Sequence, residues 1–213
     1  MTCPSQARLK AACETLSLAD PALARAYDLT GLPVWRAGDP TYAMLARMIT
    51  HQQISLGAAA AIWARTEALL GAVTPEAVLA ADPEALRACG QSRPKVGHLV
   101  SIAEAVVAGT LSLPRVCDAP LDDARKELVS VKGIGPWTAE LFLIYSIGAM
   151  DAFPVGDVGL MEAHKRLSGH ETRMDIKGFT AHAERWRPHR GVAAHLLWAW
   201  LHLDRGDAAP SPS

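Results

Sequence analysis

The stretch Leu128–Leu160, LVSVKGIGPWTAELFLIYSIGAMDAFPVGDVGL, constrains this chain more than any other. It reads as the end of one helix, a tight turn at Val131–Gly135, and a second helix from Pro136 to about Ile147. Gly133 and Gly135 lack a Cβ, so the backbone there is free to take positive φ and lie flat against another molecule. Pro136 suits the first helical position, where its missing N–H has no partner to lose. Phe142, Leu143, Ser146 and Ile147 follow Ala139 at offsets of three, four, seven and eight, which turns one helix face inward. A loop through Phe153 and Pro154 then leads to Asp157, at the mouth of a third helix. The N–H groups at a helix start form an anion seat, and phosphate is its common occupant. The stretch is thus suited to hold a backbone phosphate and to present one carboxylate nearby.

The rest of the chain reads as helical too. Half of its 213 residues are hydrophobic, alanine is abundant, and runs alternating with period two are scarce. That predicts an all-α fold, long enough for one sizeable domain or two small lobes. The formal net charge is −1, so affinity for nucleic acid has to come from a local patch and from main-chain N–H groups. Cys3, Cys13, Cys89 and Cys117 are scattered and form no C-x-x-C pair, which argues against zinc and iron–sulfur sites. Idle thiols in a reducing compartment fit them better. Neither a secretory leader nor a bilayer-length apolar run is present, so a soluble cytoplasmic protein with no membrane partner is expected.

Taken in order, residues 1–37 read as a helix at Gln6–Leu16, another begun by Pro21, and a Gly-Leu-Pro turn. Asp39-Pro40 opens a long helix whose Leu45, Met48, Ile49, Gln52, Leu56, Ala59 and Trp63 share a stripe, interrupted at Gln52 and Gln53 by a turn or kink. Thr74-Pro75-Glu76 and Asp82-Pro83-Glu84 are helix starts. Arg93 and Lys95 in GQSRPK are either phosphate contacts or a solvated loop before a helix at Val96–Ala108. Leu111–Ala119 reads as a connection, Leu121–Ser130 as a helix, Gly169–Lys177 as a polar loop, and 207–213 as a mobile tail.

The arrangement V-x-G-I-G-x-W-T-A followed by F-P-x-x-D, with the aspartate 22 residues after Gly135, resembles the helix-hairpin-helix DNA glycosylases. Within them it is most similar to the 3-methyladenine DNA glycosylase II branch, from near Tyr42 to about Leu203. The resemblance implies two helical lobes around a cleft, with 38–206 as the glycosylase domain and the family's β-rich N-terminal domain missing or reduced to 1–37. It implies that Gln53 fills the gap left by a flipped nucleotide, a job its flat amide suits. The N–H groups of Gly133, Gly135 and Thr138, with Lys132 adding charge, are to bind one phosphate of double-stranded DNA. The carbonyls of Val129, Val131 and Ile134 are candidates for a monovalent cation, sodium or potassium. No other cofactor is implied, and the missing four-cysteine cluster argues against an iron–sulfur centre.

An aspartate ahead of a helix is most often an N-cap, and that alone accounts for Asp157. The catalytic reading is compatible with it, because a helix N-terminus favours the ionised carboxylate. Breaking an N-glycosidic bond builds positive charge on the sugar, which a fixed anion stabilises. No obvious second acid sits in the hairpin and loop, which favours bases such as 3-methyladenine or 7-methylguanine that already carry charge and leave without protonation. Trp137 stands where imine-forming relatives keep a lysine, so no lyase step is expected. Trp137 and Trp198 match pocket aromatics of the resemblance, or are core residues; an indole face attracts a cationic base. Leu141 and Val158 replace tyrosines of the pattern, which implies a more open pocket. The expectation is a monomeric, monofunctional glycosylase for alkylated bases in base excision repair. The rivals are a glycosylase for oxidised or mismatched bases and a non-catalytic helix-hairpin-helix module.

Overall fold

A computed structural model describes residues 3–35 and 37–206. In chain order the helices are α1 (Gln6–Ala19), α2 (Pro21–Thr30), α3 (Tyr42–His51), α4 (Leu56–Leu70), α5 (Pro75–Ala80), α6 (Pro83–Ala88) and α7 (Arg93–Val107). They continue with α8 (Leu113–Asp118), α9 (Leu121–Val129), α10 (Pro136–Ile147), α11 (Val158–Ser168), α12 (Ile176–Ala183) and α13 (Arg190–Arg205), the last preceded by a 3-10 turn at Glu184–Trp186. No strand occurs among the described residues, in line with the all-α expectation. No helix among them is long and apolar enough to cross a membrane.

The starts follow a local rule. Ser5, Thr41, Ser55 and Ser92 each accept an N–H three residues on, and Asp20, Thr74 and Asp82 cap helices with proline at their first position. The same rule explains three departures from expectation. The long helix expected from Asp39-Pro40 is two, capped at Thr41 and again at Ser55. Ser92 starts α7 at Arg93, ahead of the expected Val96. Leu111–Ala119 contains α8, capped by Ser112.

The chain divides into two compact units, residues 38–142 and residues 1–37 with 143–213, the division falling within α10. Residues 1–37 therefore do not stand apart, and 38–206 is not one compact unit. In the discontinuous unit α1 and α2 pack against α13, and α2 also meets α11. Its core holds Leu9, Leu16, Leu23, Phe153, Phe179 and Trp186. The predicted tail at 207–213 lies outside the described residues.

A buried polar knot joins these helices. Asp20 caps α2 through Oδ1, which accepts the Ala22 N–H at 2.9 Å. Its Oδ2 accepts from Trp186 Nε1 at 3.0 Å and faces Nε2 of His182 at 2.7 Å and of His164 at 3.3 Å. Burial pushes the Asp20 carboxyl up, but the bonds from His164, His182 and the Ala22 N–H outweigh it and hold it well below the usual carboxylate range. A second polar group fixes the loop that precedes α11. The Arg190 guanidinium grips Asp151, with Nε 3.0 Å from Oδ1 and Nη2 2.9 Å from Oδ2, while its Nη1 reaches Glu184 at 2.8 Å.

In the contiguous unit, Leu45, Ile49, Leu86, Leu99, Ile102 and Leu128 form the core. Tyr42 ties α3 to α7, donating its hydroxyl to the Leu99 carbonyl at 2.9 Å.

Candidate functional site

The hairpin lies in the 38–142 unit, between α9 and α10. Val131 and Ile134 point inward and are buried, and the Ile134 N–H closes the turn on the Val131 carbonyl at 3.0 Å. Gly133 takes φ +102°, and a Cβ there would stand 2.7 Å from His98 Cβ. Gly135 differs from expectation: it does not take positive φ, and a Cβ on it would meet nothing within 4 Å. Its missing side chain therefore serves no contact of this chain and leaves the approach to α10 open. Among the described residues the N–H groups of Gly133, Gly135 and Thr138 have no hydrogen-bond partner. Lys132 is exposed beside them. Unpaired N–H groups at a helix start favour an anion, with the helix dipole behind them; Thr138 itself is buried.

α9 and α10 are held together by charge. Arg125 binds both oxygens of Glu140, a buried residue of α10, and also reaches Asp122. Glu140 is an acid that the sequence reading passed over. With both oxygens accepting from a guanidinium, it is a structural ion pair and offers no proton to a leaving group.

Gln53 stands on the loop between α3 and α4, exposed, with φ +57°. It is the one non-glycine residue at positive φ among the described residues. Ile54 and Leu56 beside it are exposed as well. Gln52 goes the other way: its Nε2 donates to Thr138 Oγ1 at 2.8 Å, beneath the start of α10. Lys95 donates to the carbonyls of Thr50 and Gln52, both at 2.8 Å. Its donors are thus engaged within the chain, whereas Arg93 at the head of α7 is exposed. Trp137, second in α10, is half-buried.

Asp157, in the other unit, is the N-cap of α11: its Oδ1 accepts the Leu160 N–H at 3.0 Å. It is half-buried. Gly159, two residues on, lets α13 come close. A Cβ there would stand 3.1 Å from Asp157 Oδ1 and 3.2 Å from Leu201 Cδ2. Trp198 lies one turn before Leu201 on the same face of α13. The Tyr145 ring is stacked 6.1 Å from Trp198, at 18°. His195 is edge-on to both and stacks on Trp35 at 4.1 Å, its Nδ1 donating to the Gly191 carbonyl at 2.8 Å. His195 precedes Trp198 by one turn of α13, a spacing legible in the sequence; Trp35 and Tyr145 complete the set from distant parts of the chain, and no local signal joins them to it. Val158 is exposed and Leu141 buried, so neither supplies the aromatic ring that the related pattern has there.

The pattern of the HhH-GPD superfamily base excision DNA repair proteins matches residues 46–188. DNA-3-methyladenine glycosylase 1 of Schizosaccharomyces pombe is 34% identical over 164 residues, 74% of this chain and 71% of that protein. DNA-3-methyladenine glycosylase 2 of Escherichia coli is 31% identical over 163 residues, 71% of this chain and 55% of its own length. Among solved structures, the Schizosaccharomyces pombe 3-methyladenine DNA glycosylase Mag1 in complex with abasic DNA superposes with a TM-score of 0.79 at 30% identity, over 88% of this chain and 94% of that one. The chain belongs to the HhH-GPD superfamily of base excision DNA repair proteins.

Proposed function

We propose that this protein is a monofunctional DNA glycosylase that excises alkylated bases from duplex DNA, acting as a monomer and leaving an abasic site. The observation that carries the reading is Asp157, a carboxylate fixed by the first turn of α11 in the unit that also holds Trp198. Ionised, it stabilises the positive charge that grows on the deoxyribose as the C1′–N bond stretches, and it orients the water that completes hydrolysis. Glu140 is tied to Arg125, so no acid is at hand there to protonate a leaving base. That favours substrates already cationic, of the 3-methyladenine and 7-methylguanine type. The indole face of Trp198, in the unit of Asp157, attracts such a charge by about 0.5–2 kcal/mol. Trp137 cannot form an imine with the sugar, which supports hydrolysis without strand cleavage.

The unpartnered N–H groups of Gly133, Gly135 and Thr138 anchor one phosphate, with Lys132 adding charge, and Gln53 fills the gap left by the flipped nucleotide. A monovalent cation fits the carbonyls of Val129, Val131 and Ile134. Val131 accepts one N–H, from Ile134, and the other two accept none among the described residues, at the negative end of α9. Such an ion supplies positive charge to the phosphate seat.

Release of free bases from methylated DNA, read by chromatography, tests the assignment for the wild type and for Asp157→Asn. The wild type is expected to release alkylpurines without nicking the strand, and the variant to bind the same duplex while losing release by about 100-fold or more. Equal release by both rejects the catalytic role of Asp157, and none by either with binding intact favours a binding module.

A further inference from the structure

Gln53 keeps a backbone conformation that a non-glycine residue holds only where its surroundings over-determine it. Those surroundings are specific. Two carbonyls at the end of α3, Thr50 and Gln52, point at one ammonium, Lys95 Nζ, at 2.8 Å each. A cation there both satisfies carbonyls that lack an intrahelical partner and neutralises the helix end. The Thr50 hydroxyl is held from below, accepting from Gln91 Nε2 at 2.8 Å. The Gln52 side chain turns inward to Thr138 Oγ1 at 2.8 Å, so its neighbour Gln53 is thrown outward. Thr138 is also the residue whose N–H forms part of the anion seat at the start of α10.

We infer that Lys95 and Gln52 are positioning residues for base flipping: they fix Gln53 in its outward pose and tie that pose, through Thr138, to the hairpin that seats the phosphate. The inference rests on the glycosylase reading above and adds to it. Docking of a phosphate on the Thr138 N–H is then coupled to the pose of Gln53 through Gln52, whose amide the Thr138 hydroxyl accepts. The lysine, which its sequence context suggested for phosphate, acts on the protein's own backbone.

The experiment uses the full chain and two duplexes. One carries an abasic analogue beside a fluorescent adenine isomer, whose emission rises when the stack opens; the other is methylated DNA. Lys95→Met and Gln52→Ala are expected to lower the opening signal and the single-turnover release of bases by about five- to tenfold, the weight of one or two hydrogen bonds. Affinity for undamaged duplex and melting temperature stay near wild type, which a merely structural role does not give. Thr138→Val reproduces Gln52→Ala, the double variant is no worse than either single one, and Thr138→Ser restores wild-type opening. Should Lys95→Met fail to fold, the Gln52–Thr138 cycle decides. Wild-type opening and release in both Gln52→Ala and Thr138→Val overturn the inference while the glycosylase reading stands. A wild type that opens the duplex but releases no base rejects that reading instead, and the opening signals of the variants still judge the clamp.

Discussion

The two hairpin glycines separate folding from binding, and replacing each by alanine reads the two apart. At Gly133 the substitution forces a side chain onto φ +102° and puts its Cβ 2.7 Å from His98 Cβ and 3.1 Å from His98 Cα. The first is strain of roughly 1–3 kcal/mol, and the second is overpacking of similar size, roughly 1–3 kcal/mol, against an atom that cannot rotate away. Together they cost about 2–6 kcal/mol, which in a chain of this length lowers the melting temperature by roughly 5–20 °C. At Gly135 the backbone is ordinary and a Cβ meets nothing within 4 Å. Alanine there stabilises slightly, by up to about 1 kcal/mol, by narrowing the unfolded ensemble. The same methyl stands where a phosphate has to approach the N–H groups, and loss of a charge-assisted bond weakens DNA binding by about tenfold or more. Thermal unfolding and fluorescence anisotropy with a labelled duplex measure the two quantities. A Gly135→Ala protein that binds DNA as the wild type does refutes the phosphate seat. One that loses stability as Gly133→Ala does refutes the geometry from which the argument starts.

Two further outcomes are expected. Gly159→Ala presses a methyl between Asp157 Oδ1 and Leu201 Cδ2, at 3.1 and 3.2 Å, and moves the carboxylate by a few tenths of an ångström; base release falls by about 10- to 100-fold with DNA affinity unchanged, and an unaltered rate refutes it. Asp20→Asn breaks a buried knot and costs about 2–4 kcal/mol at neutral pH. Because the folded carboxyl is held far below its ordinary 3.8, its stabilisation is complete above that value and drains away as pH falls below it. Urea titrations from pH 7 downward therefore show wild type and variant converging below about pH 4; parallel curves contradict the assignment.

What was legible in the sequence was local. Pro136, the glycine turn and the inward stripe of Phe142 and Leu143 fixed α10 to its observed bounds, and Asp157 is the cap that its place before a helix implied. The resemblance singles out Gln53, but its positive φ has no signal in the sequence. Longer-range features were not readable. Gln52 looks like one more member of an amphipathic stripe until Thr138, 86 residues away, is seen to accept its amide. Lys95 and Arg93 are equivalent as charges, and only folding turns one onto carbonyls and leaves the other exposed. The sequence offers Gly135 the same conformational reason as Gly133, but its φ is not positive and a Cβ there meets nothing within 4 Å.

The discontinuous unit has a consequence for how the polypeptide is made. Helices α1 and α2 leave the ribosome before residues 38–142, yet α13, against which they pack, follows them. Arg25 waits for Leu167, 142 positions later, to receive its Nη1 at 2.8 Å. Until then Leu9, Leu16 and Leu23 present an unclosed apolar flank, while residues 38–142 already hold every partner that their own unit requires. Nascent chains stalled between residue 142 and α13 thus carry a finished middle and an orphaned beginning, the part on which a chaperone has most to offer.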